Sequence, residues 1–161
     1  MNRLIEIFSE LGRRLVGFGS DEPTQKVIAE AMAENEWFSA EDILMAVDAI
    51  RQEFLDEEKL RRWAEHYAPT EQRRVAIIMA GNIPLVGFFD LLCAVIVGHR
   101  VAIKPSSKDR VLMNFVVEEL RAIETEIPIE EYDPTTEYDM VIATGGDEAA
   151  RHFSRRYAHC P

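Results

Sequence analysis

The segment Val75 to Ser107, VAIIMAGNIPLVGFFDLLCAVIVGHRVAIKPSS, constrains the fold more than any other part of the chain. An apolar run, Val75 to Ala80, breaks at Gly81-Asn82-Ile83-Pro84 and resumes as a mostly apolar segment to Val97. The chain turns at Gly98-His99-Arg100, enters a second apolar run, Val101 to Ile103, and leaves it at Lys104-Pro105-Ser106-Ser107. That order reads as strand, tight turn, buried helix from Ile83 to Val97, turn, strand. Polar residues stand at the ends of both strands, where parallel α/β sheets bind their ligands.

The rest of the chain divides around this unit. Before it, apolar residues recur at helical spacing: Leu4, Ile5, Phe8, Leu11 and Leu15, then Val27, Ile28, Ala31 and Met32, then Ile43, Leu44, Val47, Ile50 and Phe54. Pro23 suits the first turn of the second helix. Ser39-Ala40-Glu41-Asp42 is an imperfect capping box for the third, with Asp in place of Glu or Gln. Leu55, Leu60, Trp63 and Tyr67 point to a fourth helix that ends before Pro69. From about Glu71 short β-rich runs alternate with helical segments: Val75–Ala80, Val101–Ile103, Ile127–Ile129 and Met140–Ala143. Alternation of this kind implies βαβ units and a parallel sheet. We therefore expect an α/β, Rossmann-like sheet with flanking helices over residues 71–161, preceded by a mostly helical region over residues 1–70.

Composition excludes several classes of function. The formal net charge of −11 repels nucleic-acid backbones and anionic membranes at long range. Two cysteines, Cys93 and Cys160, form no disulfide framework, which fits a reducing cytoplasm. The amino terminus mixes Arg3 with Glu6 and Glu10 and does not read as a signal peptide. The longest apolar segment is interrupted by Pro84, Gly87 and Asp90. At roughly fifteen residues it is too short to span a bilayer. His66, His99, His152 and His159 have no metal-ligand spacing with one another or with the cysteines, so no metal is expected.

Three places carry candidate chemistry. Asn82 follows a glycine at a strand end, where its amide can donate into a cleft and stabilise an oxyanion, or can simply turn the chain. Lys104, at the end of the next strand, can reach a ribose or phosphate, or stand as an ordinary surface lysine. Thr144-Gly145-Gly146-Asp147-Glu148 runs from a strand into a helix, where bare backbone and free amide groups suit phosphate. Asp147 and Glu148 fit a helical first turn but would lie close to a bound anion. Cys93 sits among Leu91, Leu92, Ala94 and Val95 and reads as a packing residue.

Taken together, Gly81-Asn82-Ile83-Pro84-Leu85, the helix, and Gly98 to Ser106 resemble the cofactor-domain signature of the aldehyde dehydrogenase superfamily. The wording AGNIPLVGFFDLLCAVIVGHRVAIKPSSKD is most similar to the LuxC-like acyl-CoA reductases. The resemblance is dense over Val75 to Arg110, returns over Tyr138 to Tyr157, and is loose over the helical amino-terminal region. It implies reduction of a fatty acyl thioester to an aldehyde with a nicotinamide cofactor, usually NADPH, through an acyl-cysteine intermediate. Asn82 then falls on the oxyanion-hole asparagine. Lys104 falls on the lysine that contacts the adenosine ribose, and Ser106 and Ser107 join it as candidate cofactor contacts. Ser107 occupies a position where NAD-preferring relatives often carry a glutamate. A serine there removes a charge that would repel a 2′-phosphate, so NADPH is favoured and NADH possible. Gly145 and Gly146 fall on the pyrophosphate turn, with Gly146 replacing a common serine.

The family's nucleophilic cysteine lies in a separate catalytic domain, and Cys160 falls too early to be it. The chain is thus expected to be part of a longer enzyme, incomplete relative to the full family fold and inactive alone. Fatty acyl-CoA is its substrate in the full-length protein, and an unfinished sheet edge gives it a tendency to homo-oligomerise. Two other readings stay open: another branch of the superfamily, an aldehyde dehydrogenase or glutamyl-phosphate-type reductase, and a non-catalytic nucleotide-binding or interaction module.

Overall fold

The structure is a computed structural model that describes residues 1–67, 71–158 and 160. Pro69, the proline expected to stop the fourth helix, and His159 lie outside the described residues, as do the side chains of Asp147 and Glu148.

After the first, the amino-terminal helices begin where side chains satisfy free backbone N–H groups. In α1 (Asn2–Arg14) the buried residues Ile5, Phe8 and Leu11 form one apolar face. The chain then turns through Gly17 and Gly19, whose φ values of 79° and 87° lie in the left-handed region. Asp21 caps α2 (Glu22–Glu34) by accepting the Thr24 N–H at 2.9 Å, with Pro23 in the first turn. Ser39 and Asp42 form a complete reciprocal capping box on α3 (Ala40–Glu53), so the shorter Asp side chain suffices. Asp56 caps α4 (Glu57–Ala64) by accepting from Lys59 N–H at 2.9 Å. Each cap of this type contributes about 0.5–2 kcal/mol.

Four strands follow: β1 (Arg74–Ile78), β2 (Arg100–Lys104), β3 (Ile129–Glu131) and β4 (Met140–Ala143). They form one sheet in the order β3-β2-β1-β4, with every pairing parallel. The crossovers are α5 (Phe88–Ile96) and α6 (Arg110–Ile123), and α7 (Asp147–Arg156) follows β4. The fold is therefore α/β with a parallel sheet and a helical amino-terminal region.

The two faces of the sheet are covered differently. Val75, Ile77, Val101, Ile103 and Ile129 join a single core that also contains residues of all six helices from α1 to α6. The alternate residues Ala76 and Ala102 face a smaller cluster with Tyr138 and Tyr157. Tyr132 stacks on Tyr138 at 5.6 Å, and its hydroxyl meets that of Tyr157, which docks α7 over the small residues. Glu130 lies between Arg74 (2.6 Å) and Arg100 (2.5 Å), joining three neighbouring strands by charge, and both arginines hold its carboxyl below the usual range.

One expectation needs correction. The buried helix predicted from Ile83 begins only at Phe88, and Ile83 is 55% exposed. Pro84 has no N–H to offer a helix, and Leu85 takes φ 57°, which no continuous right-handed helix allows. Residues 81–87 are instead a loop of turns.

Phe8 of α1 packs edge-on against Phe88 of α5, with centroids 6.4 Å apart and both rings almost wholly buried. Phe8→Ala is expected to lower stability by about 3–5 kcal/mol. Because helices and sheet share the core, urea unfolding followed by circular dichroism and by tryptophan fluorescence should shift together. Separate transitions for the two signals would show that they do not unfold as one unit.

Candidate active site

The loops leaving β1, β2 and β4 emerge side by side at the carboxyl edge of the sheet. Ladder hydrogen bonds run to that edge: Met79 N–H donates to Lys104 O at 3.0 Å, and Thr144 N–H to Ile78 O at 2.9 Å. Beyond them, a Cβ on Gly81 would lie 2.5 Å from Ser106 Oγ, so glycine is what lets the first two loops touch.

Two buried polar side chains hold this contact. Asn35, at the carboxyl end of α2, donates to Gly81 O at 3.3 Å and to Lys108 O at 3.2 Å, and its Oδ1 accepts from Trp37 N–H at 3.1 Å. Asp109, 2% exposed, accepts the Leu85 N–H on Oδ2 at 2.9 Å, while its Oδ1 is buried without a hydrogen bond. It stands at the N-cap position of α6 but does not cap that helix. Burial pushes its carboxyl up to about 7, against a partial opposing pull from the Leu85 N–H.

Asn82 is exposed between these anchors. It lines a cavity of about 480 Å³ together with Trp37, Lys108, Thr144, Gly145 and Gly146. Lys108 Nζ stands 3.9 Å from the centre of the Trp37 ring, a cation–π contact at the rim. Gly146 has φ −74° and open space where a Cβ would stand, so neither backbone nor packing demands a glycine there.

Lys104 and Ser107 line a second cavity, of about 1070 Å³, with Arg110, Glu131, His152 and Phe153 among its other walls. Lys104 is exposed and makes no ion pair among the described residues. A third cavity shares Gly146 with the first, and His152 and Phe153 with the second. The hollows thus form a series along the strand ends. Ser106 is engaged differently: it packs against Gly81, and its Oγ accepts the Lys108 N–H at 3.3 Å.

Neither cysteine is presented as a nucleophile. Burial pushes the Cys93 thiol up to about 11, with Asp90 adding to the shift, and Cys160 Sγ donates to Tyr138 O at 3.1 Å. Among the described residues no group of three or more His, Cys, Asp or Glu could hold a metal ion. No helix among them is long and apolar enough to cross a membrane.

The family model for acyl-CoA reductase (LuxC) matches residues 21–158. The chain belongs to the LuxC family. No curated relative matches it. The matched region begins at the cap of α2 and runs through α7, so α2–α4 are part of what the LuxC family shares and not an appendage. The family is one of acyl-CoA reductases, oxidoreductases acting on acyl thioesters.

Sequence reasoning missed Asn35, Asp109, Trp37 and Glu131. Asn35 and Asp109 sit at helix ends, where Asn and Asp ordinarily cap, so nothing local separates them from caps. Glu131 could have been noticed as an acid at a strand end beside Lys104.

Because the folded carboxyl of Asp109 is raised, its contribution to stability is full below its ordinary value of 3.8 and is lost as pH rises to about 7. Carboxylates held low, such as Glu130, act in the opposite sense. Asp109→Asn removes only the first effect. The stability of the wild type relative to this variant should therefore fall between those two pH values and level off above them. At about 1.4 kcal/mol per unit of displacement, the change amounts to a few kcal/mol. Urea titrations across that range check this, and a constant difference would show that Asp109 ionises normally.

Proposed function

We propose that this chain carries the NADPH-binding part of an acyl-CoA reductase that reduces a fatty acyl thioester to an aldehyde through an acyl-cysteine intermediate. The thiolate comes from outside this chain. One observation carries the proposal: Asn82 with Gly145 and Gly146, and Lys104 with Ser107, line neighbouring cavities along one edge of a parallel sheet. That edge is where nucleotides bind in open α/β folds.

The nicotinamide, when bound, supplies the hydride. The chain's own groups do the rest of its share. The Asn82 amide donates to the thioester oxygen as negative charge develops on it, first when the thiolate displaces coenzyme A and again when the acyl-enzyme is reduced. The bare backbone at Gly145 and Gly146, with the amino end of α7, receives the pyrophosphate. Lys104 reaches the adenosine ribose and its phosphate, and Ser107 brings no charge against a 2′-phosphate. Cys93 and Cys160, bound up in packing and in a backbone contact, leave the nucleophile to another part of the enzyme.

Glu131 works against NADPH, since it lines the cavity with Lys104; of the other two acids there, Glu130 is paired with Arg74 and Arg100, and Glu118 with Arg121. Trp37 borders the cavity with Asn82, so cofactor titration can be followed by its fluorescence in a Trp63→Phe background. NADPH is expected to bind more tightly than NADH. Lys104→Ala should weaken NADPH about tenfold, or ~1.4 kcal/mol, and Glu131→Gln should tighten it. No binding of either nucleotide at millimolar concentration would overturn the cofactor assignment for this chain. Tighter binding of NADH would overturn the assignment of Ser107.

A further inference from the structure

The buried polar residues of the described chain are Ser9, Asn35 and Asp109, and the last two converge on one loop. They reach it from the ends of two different helices. Asn35 comes from the end of α2 and grips Gly81 O, immediately before Asn82. Asp109 comes from the start of α6 and grips Leu85 N–H, three residues after it. Their neighbours Glu34 and Arg110 form an ion pair at 2.7 Å, which ties the two helix ends together. The loop they hold has few other constraints on its outer side: Asn82 and Ile83 are exposed, and Pro84 has no N–H to donate.

We propose that Asn35 and Asp109 are positioning residues that clamp the 81–87 loop on both sides of Asn82 and so set the direction of its amide. This rests on the reading of Asn82 as the oxyanion donor, but the clamp itself can be tested without it. Several features point to a dedicated device and not to incidental packing. Asp109 leaves its own helix uncapped in order to face Leu85. Leu85 holds φ 57°, a conformation a leucine adopts only when its surroundings impose it. Asn35 uses both amide hydrogens on the two loops that meet here, Gly81 and Lys108, and its oxygen on Trp37, whose ring borders the same cavity as Asn82. The amino-terminal helical region therefore does more than cover the sheet: it supplies one jaw of the clamp.

The test is amide hydrogen exchange on the full chain, comparing Leu85 and Val86 with Ala76 and Ala102 in the sheet. Asp109→Ala should speed exchange at Leu85 about tenfold or more without a matching change in the sheet, and Asp109→Asn, which keeps an acceptor, should restore most of the protection. Asn35→Ala should loosen the same loop from its other end. Unchanged exchange at Leu85 in Asp109→Ala, or a loss spread equally over loop and sheet, overturns the clamp. In the complete reductase, Asp109→Ala should lower kcat with the KM for NADPH unchanged, and Asp109→Asn should recover kcat. Asn82→Ala serves as the separate control: full kcat there removes the role of Asn82, and with it the catalytic half of the proposal, whatever the exchange data show.

Discussion

Where β1 and β2 end, the loops that leave them touch, and a Cβ at Gly81 would stand 2.5 Å from Ser106 Oγ. This contact follows from topology. Adjacent parallel strands deliver their exits to the same edge, and the sheet ladder stops there, leaving peptide groups that still need partners. Unsatisfied buried groups cost about 1–3 kcal/mol each. Asn35 and Asp109 meet that need from two helices on the same side of the sheet. The position of Asn82 depends on how well they do so.

The same constraint explains why the helical region and the sheet cannot be described apart. A parallel sheet needs cover on both faces. On one face α5 and α6 lie beneath α1–α4 in a single core. On the other, Ala76 and Ala102 leave a shallow floor that the Tyr132, Tyr138 and Tyr157 group fills, and this group fixes α7. The placement of α7 in turn brings Gly145 and Gly146 to the cavity that holds Asn82. Cover for the sheet and shape of the site are thus produced by the same contacts.

Much of this was legible in the residues. Helical spacing located α1–α4, and the caps Asp21, Ser39 and Asp56 explain why α2, α3 and α4 start where they do. The β-rich runs around Val75 and Val101 became the central pair of the sheet. Asn82, Gly145 and Gly146 meet in one cavity and Lys104 and Ser107 in another, while Ser106 serves the contact with Gly81. The start of α5 was misread because Ile83, Leu85 and Val86 are apolar, and apolar character alone does not report φ. Leu85 takes a left-handed backbone and donates its N–H to Asp109, a partner that no local pattern names.

By itself the sequence determined the elements, the parallel α/β class and the strand-end residues, because those follow from short-range backbone geometry and hydrophobic period. Only the tertiary structure decided which polar side chains are buried and what they hold. Asn35 and Gly81 are 46 residues apart, and Asp109 and Leu85 are 24 apart. Nothing in either local sequence distinguishes a capping side chain from one that reaches across the fold. That choice is made by desolvation, which applies only once the helices have packed and the alternative hydrogen bonds to water are gone.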